Sequence, residues 1–121
     1  MSEQPNDDHA EIRDAVRALC ADFPGEYWRG LDRDRGYPAE FVAALTKAGF
    51  LAALIPEQFG GSGLPMVAAA AIMEEIHASG GNGAACHAQM YTMGTLLRHG
   101  SATQKERYLP AIGRASCRER V

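Results

Sequence analysis

The stretch Met90-Tyr-Thr-Met-Gly-Thr-Leu-Leu-Arg-His-Gly100-Ser-Ala-Thr-Gln-Lys-Glu-Arg-Tyr-Leu-Pro110 constrains the fold more than any other part of the chain. It reads as the end of one helix, a tight stop and the start of another. Gly100 offers the left-handed residue that commonly ends a helix, and His99 sits in the last turn, where positive charge is favourable. Ser101 and Gln104 have capping-box spacing. The hydroxyl can accept from the backbone N–H three residues on, and the amide can reach back to the serine N–H. A short helix over residues 102–108 is expected to follow, bounded by Pro110. Two helices joined by so short a corner must pack against each other.

The rest of the chain agrees with a helical architecture. Residues 1–7 are polar and without periodicity, and are expected to be disordered. A first helix is expected over 8–22, with Asp8 and Glu11 as a cap pair. Ile12, Val16, Leu19, Cys20 and Phe23 fall on one face, and Pro24-Gly25 ends it. Residues 26–36 mix Tyr27, Trp28 and Leu31 with charged side chains in no clean period. They read as a surface loop tacked down by Trp28, or, functionally, as a docking site for the rest of a larger protein. Pro38 opens a second helix with Phe41, Val42, Leu45 and Ala48 as its buried stripe and Gly49 as its stop. Residues 50–55 are continuously apolar and are expected to be buried, extended or in a short helix. A third helix over 65–78 is rich in alanine, which keeps it thin and lets neighbours approach. Residues 79–83 stop it, and a fourth helix spans 84–98 with Cys86, Met90, Met93 and Leu97 on one side. The expected fold is therefore an all-α bundle of four to five helices, with one domain over 8–112 and an atypical tail over 113–121.

Composition narrows the function. With 121 residues the chain can hold one core, and its net charge of −3 argues against a nucleic-acid-binding domain. No run approaches the roughly 20 apolar residues of a membrane span. The acidic start is neither a secretory signal nor an arginine-rich transit peptide. Cys20, Cys86 and Cys117 are odd in number and lack a C-x-x-C, which fits reduced thiols in a cytoplasmic protein.

Motifs with possible chemistry each have a plainer reading. Gly60-Gly61-Ser62-Gly63 resembles a phosphate loop only in its glycines, since no Gly-Lys-Ser/Thr follows, and a chain reversal explains it better. Glu74 and His77 form one Glu-x-x-His. A di-iron bundle needs that motif twice, so Glu75 and His77 read as the wet side of the third helix, and no metal site is assigned. No nucleophile with a base and an orienting acid can be assigned either. Met66, Met73, Met90 and Met93 are either adaptable core or a flexible apolar wall for a long ligand. On the fourth helix, Ala84, His87, Tyr91 and Gly94 or Thr95 share a face whose small residues leave room.

Three blocks, in order and in spacing, resemble the N-terminal domain of acyl-CoA dehydrogenases, and the likeness covers nearly the whole chain. They are Pro38-x-x-Phe41-x-x-x-Leu45-x-x-x-Gly49, Pro56-Glu57-Gln58-Phe59-Gly60-Gly61-Ser62-Gly63-Leu64 and Gly100-Ser101-x-x-Gln104-Lys105-x-x-Tyr108-Leu109-Pro110. The resemblance implies an FAD-dependent oxidoreductase acting on acyl-CoA thioesters. In that family a carboxylate takes the α proton while the β hydrogen passes as hydride to the flavin. It also implies an electron-transfer flavoprotein or similar acceptor, and a homo-oligomer at full length. The catalytic glutamate and most flavin contacts lie in later domains, so no catalytic or cofactor-binding residue carries over to this chain, which should be inactive alone. What does carry over is one wall of the acyl pocket, with Ala84, His87, Met90 and Tyr91 as candidates.

After Ile112 the family's Gly-Glu-Leu and Thr-Glu-Pro segments do not follow. Instead three arginines and one glutamate give residues 114–121 a charge of +2, so the tail reads as out of frame, foreign or an authentic basic end. Two other classes compete: a stand-alone helical module binding an apolar ligand or protein partner, and, more distantly, a di-iron bundle.

Overall fold

Helix-stop residues divide the described residues into six α-helices. The computed structural model describes residues 9–113, so the expectations for 1–7, for an Asp8 cap and for the tail beyond Gly113 lie outside the described residues. The helices are α1 (Ala10–Cys20), α2 (Gly25–Asp34), α3 (Ala39–Lys47), α4 (Met66–Ala78), α5 (Ala84–His99) and α6 (Ala102–Gly113). Single 3-10 turns at Phe50–Ala52 and Glu57–Phe59 bridge α3 to α4, and no strand occurs among the described residues. The expected all-α bundle is the observed fold.

α2 makes the count six, and it replaces the loop expected over 26–36. Tyr27, Trp28 and Leu31 lie at helical spacing, so one face of the segment is apolar although its sequence is crowded with charge. That face is held by aromatic packing. Phe23, Tyr27, Trp28 and Phe41 meet edge to face with centroids 4.9–5.3 Å apart. The Trp28 indole N–H donates to the Phe23 carbonyl at 3.0 Å, and the Tyr27 hydroxyl donates to Glu40 at 3.0 Å. Trp28 does tack the segment down, as a helical residue rather than a loop anchor. Arg35, in the left-handed region at φ 56°, ends the helix.

The main core joins α1, α3, α4 and α5 through Val16, Phe41, Leu45, Ile72, Ile76 and Cys86, with Leu51 added from the residues just after α3. A smaller one beneath the α5–α6 corner contains Ala52, Ile55, Met93 and Leu109. Gly49, at φ 89°, closes α3 as expected, but Ala48 is exposed and lies off the buried stripe.

The corner is built as its spacing demands. The Gln104 N–H donates to the Ser101 hydroxyl at 3.1 Å, and the Ser101 N–H donates to the Gln104 amide oxygen at 2.9 Å. Two expectations there need correction. Gly100 is extended (φ −77°, ψ 153°) and not left-handed; glycine is required because a Cβ would lie 2.6 Å from the Leu96 carbonyl oxygen. Nor does Pro110 end the last helix. α6 continues to Gly113, with Leu109 sealed in the smaller core and the ring carried within the helix.

The candidate groove between α4 and α5

α4 is held from below before it forms any site. Its alanines let α1 approach, and the contact is closed by charge. Arg13 donates to Glu74 at 2.7 Å and to Glu75 at 3.0 Å, while Arg17 donates to Glu75 at 3.2 Å and to Asp14 at 2.9 Å. Glu75 is therefore buried, not on the wet side of the helix as its sequence suggested; only His77 is exposed. Hydrogen bonds from Arg13, and then from Arg17, hold the Glu75 carboxyl below the usual carboxylate range. Glu74, the first residue of the Glu-x-x-His motif, is engaged by a guanidinium.

With that side fixed, the other edge of α4 faces α5 across a groove of about 370 Å³. Met66, Ala70 and Met73 line it from α4, and His87, Met90 and Tyr91 line it from α5. Gly94 and Thr95 extend the α5 side towards Arg98 at one end, and Leu54 adds an apolar contact from the 3-10 region. Room comes from small side chains: a Cβ at Gly94 would meet nothing within 4 Å. The imidazole of His87 stacks edge to face on the Tyr91 ring at 5.2 Å, which orients both.

Three of the four residues expected at a pocket wall, His87, Met90 and Tyr91, meet in this groove. Ala84 does not. It lies in a second hollow, also about 370 Å³, with His77, Asn82 and Gly83. Met73 and His87 line both spaces. The two helices come close at this end: a Cβ on Gly83 would lie 2.9 Å from both His77 Nε2 and Met73 Cε. Asn82 steadies the turn by accepting from the Ala84 N–H at 2.9 Å. Of the methionines, Met66, Met73 and Met90 border the groove, whereas Met93 is fully buried in the smaller core. Leu54, Ala70 and Arg98 were not singled out from sequence. The signal for the α4 residues was available, as alanines at positions 68–71 are flanked by Met66 and Met73 seven residues apart.

The glycine loop is a structural reversal. Gly60 and Gly63 adopt φ 94° and 63°, and a Cβ on Gly61 would collide with the Ile55 carbonyl oxygen. The N–H groups of Gly61, Ser62, Gly63 and Leu64 donate to the carbonyls of Pro56, Ala52, Ile55 and Ala53. These four amides are committed to the preceding turn, so the loop does not fit a flavin or nucleotide pyrophosphate. Cys20 and Cys86 are free, buried thiols. Burial, and then the neighbouring Cys20, pushes the Cys86 thiol up to about 12, which removes it as a nucleophile. Among the described residues no helix is long and apolar enough to cross a membrane.

An all-helical domain with an apolar groove between two antiparallel helices is the class that fold and site define. Residues 6–116 match the family model described as "Acyl-CoA dehydrogenase, N-terminal domain". The chain is 34% identical over 108 residues to the "Probable acyl-CoA dehydrogenase FadE25" of Mycobacterium tuberculosis, covering 88% of this chain and 28% of that protein. It is 30% identical over 112 residues to the acyl-CoA dehydrogenase FadE12 of the same species, covering 92% and 29%. The mitochondrial isovaleryl-CoA dehydrogenase of Bos taurus is 30% identical over 112 residues, covering 88% and 26%. The chain belongs to the acyl-CoA dehydrogenase N-terminal domain family. It spans under a third of the length of these relatives.

Proposed function

We propose that this chain acts as the N-terminal helical domain of an FAD-dependent acyl-CoA dehydrogenase, with the α4–α5 groove as one wall of the acyl pocket. The observation that carries the reading is the convergence of Met66, Met73, Met90, His87 and Tyr91 on one apolar groove in a domain of this family. Methionines suit such a wall, because an unbranched thioether adapts to tails of different shape. FAD supplies the hydride acceptor when bound. The described glycine loop offers it no cradle; by resemblance to the family, flavin contacts and the base that takes the α proton are assigned to later domains of the full-length protein.

This division of labour makes the 121-residue chain inactive alone. At full length, the reading includes a homo-oligomer that passes electrons to an electron-transfer flavoprotein or similar acceptor. The buried free thiols suit a reducing, cytoplasmic setting.

The test uses the complete reading frame around this domain. The product should carry flavin absorbance that bleaches on addition of an acyl-CoA. Tyr91→Ala should change the ranking of straight and branched acyl-CoAs by about tenfold, the worth of one or two buried methylenes, with the flavin retained. A colourless product, or a ranking unmoved by Tyr91→Ala, would count against the pocket. In the colourless case a helical module binding an apolar ligand becomes the better account.

A further inference from the structure

We propose that the hollow between the C-terminal ends of α2 and α4 binds a small zwitterion, an α-amino acid with an apolar side chain, through Trp28, Asp32 and Arg35. The hollow measures about 410 Å³. It shares no lining residue with the α4–α5 groove, so it is independent of the acyl-pocket reading.

Two helix ends meet there, and both close in the same way. In α2 the Arg35 N–H donates to the Asp32 carbonyl at 3.3 Å, and the Gly36 N–H to the Leu31 carbonyl at 2.8 Å. In α4 the Gly80 N–H donates to the His77 carbonyl at 3.1 Å, and the Gly81 N–H to the Ile76 carbonyl at 3.2 Å. This double closure satisfies two of the four terminal carbonyls and leaves the negative end of each helix dipole beside the hollow. α4 places glycine at the left-handed position, Gly80 at φ 92°. α2 places Arg35 there, the only non-glycine residue with positive φ among the described residues. Arginine is strained where glycine is not, which points to a use for its side chain.

The lining supplies both charges and an aromatic wall. Asp32 and Arg35 border the hollow, and neither is ion-paired among the described residues. Trp28 is fixed by its N–H, which donates to the Phe23 carbonyl at 3.0 Å. Gly81 abuts its six-membered ring, where a Cβ would lie 3.0 Å from Cζ2. Asn82 commits its amide oxygen to the Ala84 N–H, which leaves its NH2 group to donate. An ammonium therefore suits Asp32, the two helix ends and the indole, while a carboxylate suits Arg35 and Asn82. Leu31 and Pro38 add apolar contact for a side chain. A metal ion is a poorer match, since no group of three His, Cys, Asp or Glu side chains able to hold one occurs among the described residues. A phosphate would face the unfavourable ends of two dipoles.

Trp28 is the only tryptophan of the chain, so its fluorescence reports this hollow and not the groove. The whole chain is titrated with L-norleucine, with hexanoate, which lacks the ammonium, and with pentylamine, which lacks the carboxylate. Calorimetry is run in parallel. L-Norleucine should shift the Trp28 emission, and each analogue should do so at least about tenfold more weakly. Asp32→Asn and Arg35→Gly should each weaken L-norleucine binding by about tenfold. Both positions are exposed, so the fold should survive either change. Arg35→Gly also removes the left-handed arginine, so this variant should melt above the wild type while binding less. Weaker binding in a more stable protein cannot come from unfolding. If L-norleucine gives neither heat nor an emission change, there is no such site. Pentylamine binding as tightly as L-norleucine would overturn the zwitterion, and wild-type affinity in both variants would overturn the placement.

Discussion

Glu75 shows how far a single residue can depart from its sequence appearance. In a helix it follows Glu74 and precedes an isoleucine, a position that reads as solvent-facing, yet it is where two arginines of α1 converge. A carboxylate buried without such partners would be costly, so Arg13 and Arg17 are what permit it there. Both guanidiniums keep contact with water (Arg17 is 59% exposed), which keeps the net contribution modest. The sign of the pH dependence follows from the depressed folded-state pKa. The stabilisation is complete above the ordinary carboxylate range and is lost as pH falls through the lower, folded value. Acid unfolding followed by circular dichroism should therefore show a shallower loss of stability in Glu75→Gln than in the wild type, with a small destabilisation at neutral pH. Parallel curves for the two proteins would mean that the pair does not couple to folding. Gly61 and Gly100 make a related point. Their identity is legible, but its reason is contact with a carbonyl oxygen and, at Gly100, not handedness.

At the scale of elements, what was legible followed local chemistry. The Gly49 stop, the Ser79–Gly83 break and the Ser101–Gln104 box depend on residues within four positions of each other, and all are present. α2 was illegible because its stability is not local. Its apolar residues are too few to declare a period amid charge, and its helical face forms only against Phe23 and Phe41, which lie outside it. Similarly, Pro110 suggests an end, but burial of Leu109 beside Met93 and Ile55 carries α6 through it. The groove was half legible. α5 showed its small and aromatic face at helical spacing, and Met66 and Met73 marked the α4 side, whereas Leu54, Ala70 and Arg98 join the groove only through the packing of the helices. The capping box offers the cleanest test. Ser101→Ala leaves the Gln104 N–H without its hydroxyl partner and should cost about 1 kcal/mol, or about 4 °C in Tm. Ser101→Asp should retain most of the stability. An unchanged Tm in the alanine variant would show that packing of α6 alone holds the corner.

At the scale of the molecule, the groove and its surroundings leave apolar surface in water. Met66 is 58% exposed, Val67 61% and Tyr91 59%, while their neighbours Ala68 and Met90 are buried. Single exposed apolar residues are ordinary, but here two adjoin at the start of α4, and Met66 shares the groove with Tyr91. The relatives are more than three times as long as this chain, so in a protein of their length further domains would be available to cover this edge. In isolation the edge is expected to pair with another copy. Sedimentation velocity across a range of concentrations should show reversible self-association, and Val67→Glu should weaken it by about tenfold. That substitution has a favourable setting: the site is exposed, and a carboxylate in the first turn of a helix is stabilised by the helix dipole. Folding stability should therefore change by no more than about 0.5 kcal/mol, which separates loss of association from loss of structure. Wild-type association in Val67→Glu would move the sticky surface elsewhere, and Tyr91→Lys at the opposite wall of the groove would then show whether the groove itself takes part.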